Sequence, residues 1–294
     1  MATILEIREN ALCIIVAKKS GKKILVKDTF RVHSETPFIE KGLFIMTEKN
    51  INEIKAAMKK HHITDRKLDV VVNYRTGITR DLFVPKLDKR KMKLVIENEM
   101  SNIYNLNKSY IIDYRMLKSH EVRADKKIHV LATALSYDFI RSLEVGLGSC
   151  KLRINSLDLA QSSFLKFVEA YDFVESQSPT IVVELGNTYI RSYLFDIKEL
   201  KIMRTIYFFE EEPFSAIMNR LFQVVDLMDQ SYYGETSRNV KHMVVLGSDL
   251  YVPRILSHYR TQDDLKVTIV DSKNFAKGRK HASTEYLSSL GVLV

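Results

Sequence analysis

Glu184 and Gly186 stand at the bend of "TIVVELGNTYIRSYLF" (180–195), between two runs that read as β-strands, and Asn187 and Thr188 follow. A backbone without a side chain at such a bend leaves room for a nucleotide phosphate to approach its amides, or for nothing at all. A similar stretch opens the chain, "TILEIRENALCIIVA" (3–17): Glu6 takes the place of Glu184, Arg8 that of the glycine, and Asn10 lies in the turn. A third element, Gly247-Ser248, reads as a turn between a buried strand and a helix. Taken singly each is a weak signal, but the two acids head twin segments 178 residues apart.

Other chemistries find no support in the residue pattern. His61-His62 and the pair His120 and His129 lack metal-ligand spacing with Cys or acids and read as exposed. Ser, His and Asp are scattered, without a Gly-x-Ser-x-Gly elbow. Met92, Met100 and Met116 read as core, and Cys13 and Cys150 as two reduced core thiols. No apolar run approaches the ~20 residues that span a bilayer, and no secretory leader is visible; a soluble, intracellular protein is expected.

The formal charge is +9, and residues 1–150 hold 28 Lys/Arg against 18 Asp/Glu while 151–294 hold 17 against 18. The excess lies in runs such as "KKSGKK" and "KRKMK", which suits an anionic partner. Aromatics do not interleave with those runs, so nucleic acid is not expected.

These residues need a scaffold to position them. The first segment reads as three strands (3–32), a helix opened by an Asn50/Glu53 capping box, and the buried strand "LDVVVNY". Segment 79–150 reads β-α-β-β-α-β, with Asp88 and Ser136 as helix caps, Ile103 facing inward, and both helices on one face of a small sheet. From 180 three more strands follow, then a long helix through Phe214–Met228, the strand before Gly247, and a closing helix from Ser283 to Leu293. The fold class is α/β, built from two duplicated lobes facing a cleft. With no Gly/Ser- or Pro-rich tract, no linker is expected.

The paired acid-turn hairpins and the late Gly-Ser turn resemble the actin-like ATPase superfamily, which has a ribonuclease H-like fold. There such hairpins offer backbone amides to phosphates and hold magnesium through water, and a late Gly-Gly turn supports the nucleoside. Within it, "TRDLFVP", "IENEMSNIYNLNKSYIIDYRML" and "IHVLATALSYDFIRSLEVGLGSCKLRINSLDLAQ" resemble the PilM family of type IV pilus assembly proteins, relatives of FtsA. Glu97, Glu99, Tyr104, Asp113, Tyr114, Leu117, Leu131, Ala132, Gly148 and Asp158 hold the family's places. The resemblance implies subdomain 1A at 1–78 plus 151–174, an inserted 1C at 79–150, 2A at 175–212 plus 242–294, and 2B at 213–241.

The departures bear on function. The family's first hairpin reads roughly G-I-D-I-G-S-S-S, against Ile4-Leu5-Glu6-Ile7-Arg8-Glu9-Asn10-Ala11 here. The Gly-Gly expected before the 2B helix is Phe209-Glu210, and one glycine of the late pair is Ser248, although Pro253 remains. Each lost backbone contact removes about 1–3 kcal/mol, where a micromolar nucleotide site totals only about 8 kcal/mol. The degenerate cleft would comprise Glu6, Arg8, Asn10, Glu184, Gly186, Asn187, Thr188, Gly247 and Ser248, with Glu6 and Glu184 paired to Arg8 or Arg191, no metal, and no ATP hydrolysis. The resemblance implies a cytoplasmic scaffold of a pilus, competence or secretion machine, peripheral at the inner face of the membrane. It would dock the tail of a PilN-like bitopic membrane protein between the first lobe and the insert, and meet a pilus motor ATPase. Arg75, Arg80 and Lys86 are the expected groove contacts, and the basic half could also face anionic lipid. The alternatives are an ATP/Mg-regulated actin-like protein and an FtsA-like self-associating polymer; "YLSSLGVLV" at the end reads as core, not as the membrane helix the latter needs.

Overall fold

The computed structural model describes residues 1–107, 109–118, 127–174, 178–208, 212–247, 255, 265–277 and 286–294. Near-continuous apolar runs in β1 (Ala2–Ile7) and β2 (Ala11–Ser20) and the mixed run of β3 (Lys23–His33) form an antiparallel meander. Such runs suit a sheet buried on both faces. Leu5, Ile7, Leu12 and Ile14 face one layer, while Ile4, Cys13 and Ile15 face the other.

A short hairpin, β4 (Ile39–Glu40) and β5 (Leu43–Phe44), precedes α1 (Glu48–Lys60) and β6 (Lys67–Val72). The cap of α1 is Thr47, whose side chain accepts from the Asn50 amide. Asn50 therefore sits inside the first turn, buried and accepting from Ser34 Oγ at 3.1 Å, and the Asn50/Glu53 capping box is not formed. Next come β7 (Ile78–Pro85), α2 (Lys89–Tyr104), β8 (Tyr110–Met116), β9 (Lys127–Ser136), α3 (Tyr137–Ser149) and β10 (Arg153–Leu159). Asp88 and Ser136 cap α2 and α3 as expected.

The β-α-β-β-α-β order is present along the chain, but its last two elements join the first lobe. The small sheet has the order β7-β9-β8 and carries α2 alone, through Met92, Ile96 and Met100 on Val84, Ile112 and Val130. β10 pairs in parallel with β6, and that pairing draws Phe139, Leu143 and Leu147 of α3 onto Leu5, Ile7 and Val70. α2 crosses from the end of β7 to the start of β8 and leaves the end of β8 uncovered. Met116 is accordingly 65% exposed rather than core, and Ile103, in the last turn of α2, is 47% exposed.

The second half supplies α4 (Ala160–Tyr171), β11 (Thr180–Leu185), β12 (Tyr189–Asp196), β13 (Glu199–Tyr207), α5 (Phe214–Thr236), β14 (His242–Gly247), β15 (Lys266–Ile269), β16 (Ala276–Lys277) and α6 (Leu287–Leu290). Its sheet, β13-β12-β11-β14-β15, repeats the order β3-β2-β1-β6-β10 of the first, antiparallel on one side of the leading strand and parallel on the other. The chain then returns, and β16 pairs beside β3. α4 and α6 lie between the two sheets, where Phe164, Val168 and Leu287 pack with Ile4 and Ile15 on one side and Val182, Tyr193 and Val244 on the other. α1 and α3 cover the outer face of the first sheet, and α5 that of the second. Of the closing helix, the described part is α6 and a 3-10 turn, Gly291–Leu293.

Gly291 is required by this central layer. A Cβ there would lie 1.7 Å from the Ser163 carbonyl oxygen of α4. Gly291→Ala is expected to lower stability in urea unfolding by at least about 3 kcal/mol, since backbone rather than a side chain must move.

Candidate functional site

Glu6 and Glu184 hold equivalent places one residue before the ends of the leading strands. Glu6 lies opposite Cys13 of β2 and Val71 of β6; Glu184 lies opposite Arg191 of β12 and Leu246 of β14. Strand alternation turns both carboxylates toward the central layer, at 0% and 1% exposure. On the antiparallel side the partners differ in chemistry: a thiol faces one acid and a guanidinium the other.

The two acids belong to a single buried network. Glu6 Oε1 accepts from Arg8 Nε at 2.7 Å and from Asn73 Nδ2 at 2.6 Å, and Oε2 accepts from Ser289 Oγ. Glu184 accepts from Arg191 Nη1, from Ser288 Oγ and from Tyr189 OH, the last at 3.2 Å. Arg191 Nη1 also donates to Ser288 Oγ at 2.8 Å, and its Nη2 donates to Asn73 Oδ1. Arg191 stacks 4.0 Å above the Tyr189 ring centre. The path Glu6–Asn73–Arg191–Glu184 therefore crosses from one lobe to the other, and the adjacent hydroxyls of α6 close it into a ring. Asn73, Tyr189, Ser288 and Ser289 were not singled out by sequence; two serines inside the apolar run "YLSSLGVLV" were the available signal.

Electrostatics agree with the geometry. Burial alone pushes the Glu6 carboxyl up, but the Arg8 charge and the bonds from Arg8, Asn73 and Ser289 outweigh it, leaving its pKa below the ordinary value. Burial works against the Arg8 and Arg191 charges, yet Glu6 and Glu184 raise both pKa values, so both stay cationic. Burial and the Glu184 charge push the Tyr189 phenol up, keeping it a neutral donor.

The glycines serve packing. A Cβ on Gly186 would lie 2.3 Å from the Tyr189 ring, and the Gly186 amide donates to the Tyr189 carbonyl at 2.9 Å. The matching Arg8 amide donates to the Ala11 carbonyl at 2.9 Å. Gly247, at φ +132°, lies against the Leu185 carbonyl, which a Cβ would meet at 2.1 Å. Asn10, Asn187 and Thr188 line an inter-lobe cleft of about 420 Å³ together with Arg8, Arg31 and Arg75. Ser248, Phe209, Glu210, Pro253 and His120 lie outside the described residues.

Of the other expected contacts, Arg75 lies in this cleft, and Arg80 and Lys86 are exposed on or just beyond β7, the strand at the far edge from β8. None of the three lines the groove of about 470 Å³ between the small sheet and the first lobe. Ile111, Leu135, Leu157 and Leu159 give that groove apolar walls, with Arg115 and Lys166 at its rim. Arg115 bonds Glu169 at 3.0 Å, and Lys166 bonds Asp158 at 2.6 Å. The outer edge of β8 pairs with no strand among the described residues. Leu117 N donates to His129 O, and Tyr137 N to Ser109 O, so odd-numbered residues of the ladder bond inward. Ile112 and Tyr114 thus turn their amides outward, and the Tyr114 amide donates to the Asp113 carboxylate at 2.8 Å.

No described group of His, Cys, Asp and Glu could hold a metal ion. His129 is buried rather than exposed: it stacks on Phe83 at 4.2 Å and meets Asp81 at 3.3 Å. His61 likewise stacks on Phe30 and bonds Asp28 at 2.7 Å. Both cysteines are free and buried.

No protein-family model and no curated protein matches the sequence. Among solved structures, the fold is similar to a chain of the PilM–PilN type IV pilus biogenesis complex, with a TM-score of 0.77 and 16% identity over 99% of this chain and 97% of that one. It is also similar to a Bacteroides thetaiotaomicron protein with actin-like ATPase fold and unknown function, at a TM-score of 0.54 and 8% identity over 99% and 95% of the chains. The cytoplasmic domain of EpsL, an inner membrane component of the Vibrio cholerae type II secretion system, gives 0.53 and 8% identity over 99% and 95%. The chain has the actin-like ATPase fold, in a form like that of the PilM–PilN complex, and at these identities the likeness is one of fold.

Two measurements test the network. Arg191→Met strands the buried Glu184 carboxylate and is expected to cost about 3–5 kcal/mol in urea unfolding, while adding Glu184→Gln recovers part of the loss. The Glu6 stabilisation is present above the unfolded carboxyl pKa, about 4.3, and is lost as pH falls through the lower folded pKa. Glu6→Gln should flatten the pH dependence of stability in that acid window.

Proposed function

We propose that this chain is a peptide-docking scaffold of a type IV pilus or related secretion machine, working at the cytoplasmic face of a membrane without nucleotide turnover. The observation that carries the reading is the edge of β8, unpaired among the described residues, beside an apolar groove, in a fold similar to that of a complex named for PilM and PilN. An extended segment laid along β8 would take main-chain bonds from the outward amides of Ile112 and Tyr114, displacing the Asp113 carboxylate from the latter. Alternate side chains of that segment would enter the space lined by Ile111, Leu135 and Leu157. The cytoplasmic tail of a PilN-like bitopic membrane protein is the partner this fits, and the likeness to EpsL extends the reading to secretion systems.

The residues present do not fit a magnesium–triphosphate. In a metal-bound cleft the acids of the two hairpins must face a hydrated cation, but here Glu6 and Glu184 are spent on Arg8 and Arg191. The Tyr189 ring covers Gly186, and the hairpin amides of Arg8 and Gly186 are used within their own turns. No catalytic residue is assigned.

Pulldown with the cytoplasmic tails of membrane proteins encoded nearby is the direct test. One tail is expected to bind, and Ile111→Asp, in the groove wall, should weaken it by at least about tenfold with stability unchanged; failure of every tail would overturn the docking reading. Calorimetry with Mg-ATP should show no binding. A dissociation constant below about 100 µM that Glu184→Ala abolishes would reverse that part.

A further inference from the structure

The first turn of α2 carries Lys89, Arg90 and Lys91 and no acidic residue. Cations at a helix N-terminus oppose the macrodipole, so this arrangement weakens the helix locally. Asp88 offsets it as N-cap and lies 3.5 Å from Lys91 Nζ. Lys86 precedes the turn and Lys93 follows, 3.9 Å from Glu97. Strand register brings more charge to the same end of the small sheet: Pro85 lies opposite Lys127, and Met116, opposite Val130, leads to Lys118. All these cations are exposed. Leu87, Leu94 and Met116 stand among them at 41%, 53% and 65% exposure.

A merely solvated lysine face gains nothing from aliphatic side chains at its centre. The boundary layer of a bilayer accepts both kinds, with cations at lipid phosphates and aliphatic groups against the acyl chains. We propose that this corner, residues 86–94 with Met116, Lys118 and Lys127, seats the protein on an anionic lipid surface. The second basic run marks the contrast. Lys18, Lys19 and Lys22 at the β2–β3 hairpin are exposed, but among the described residues no large exposed hydrophobic residue accompanies them, and Lys23 is tied to the Lys273 carbonyl at 2.7 Å. Nucleic acid is disfavoured because single strands call for aromatic stacking platforms, whereas the apolar members of the corner are aliphatic. Phe83, an exposed ring on β7, is already stacked on His129.

The corner deepens the membrane placement in the proposed function, yet residues 87–94, where its test substitutions fall, lie outside β8 and the peptide groove, so the two stand or fall separately. The test is co-sedimentation of the full chain, without peptide, with phosphatidylcholine vesicles containing or lacking phosphatidylglycerol. Binding is expected only to the anionic vesicles. Lys89→Gln/Arg90→Gln/Lys91→Gln/Lys93→Gln should weaken it at least about tenfold, while Lys18→Gln/Lys19→Gln/Lys22→Gln changes it less than about twofold. Leu87→Ser/Leu94→Ser should remove the part of binding that survives high salt. Circular dichroism melts establish that each variant folds. No sedimentation, or equal losses in the two charge variants, would overturn the proposal. So would salt-dependent retention of DNA through the corner without vesicle binding, which would assign the patch to nucleic acid. Tail binding on the same variants separates the readings: groove failure with vesicle binding intact removes only the docking function, and the reverse removes only this seat.

Discussion

Two carboxylates buried at the meeting of two lobes must be neutralised, and the way this chain does so governs the rest of the molecule. An unpaired buried carboxylate is costly enough that it would protonate or open the structure. Arg191 reaches across Glu184 to Asn73, Asn73 reaches Glu6, and Ser288 and Ser289 supply the remaining donors. Because the donors come from both sheets and from the segment between them, satisfying the charges also fixes the lobes against each other. Arg8 balances Glu6 and Arg191 balances Glu184, one guanidinium to each buried carboxylate.

The fold and the chemistry of its centre can be read separately. Duplicated sheets around a shared central layer match each other strand for strand. The space over the second hairpin is taken by the Tyr189 ring, which leaves no room for a Cβ on Gly186. A glycine kept for packing looks the same in sequence as one kept for a phosphate. At the periphery the small sheet presents an edge strand, β8, that pairs with no further strand among the described residues, and a basic corner, while α3 and β10, its neighbours in sequence, serve the core of the first lobe.

Much of this was legible beforehand because it depends on local rules. Asp88 and Ser136 announced their helices by capping, and apolar runs bounded by turn residues announced the strands. The equivalence of Glu6 and Glu184 followed from repeated pattern. Misreadings arose where distant elements decide. Thr47 displaced Asn50 as cap because Asn50 is held inside by Ser34. His129 and His61 are sheltered by Phe and Asp partners on other strands or helices. Met116 is exposed because of where α2 crosses the sheet, and Arg80 and Lys86 lie at the opposite edge from the groove because β9 inserts between β7 and β8.

Alone, the chain of residues determined the α/β class, the duplication and the loss of the usual glycines, since these are written in periodicity and in residue type at fixed offsets. Only the tertiary structure decided which cation meets which acid, that Gly186 lies under a tyrosine ring, and that β8 rather than β7 borders the groove. The physical reason is the same in each case: a hydrogen bond or a packing contact depends on distance in space, and Glu6 to Ser289 spans nearly the whole chain before it closes to a single bond.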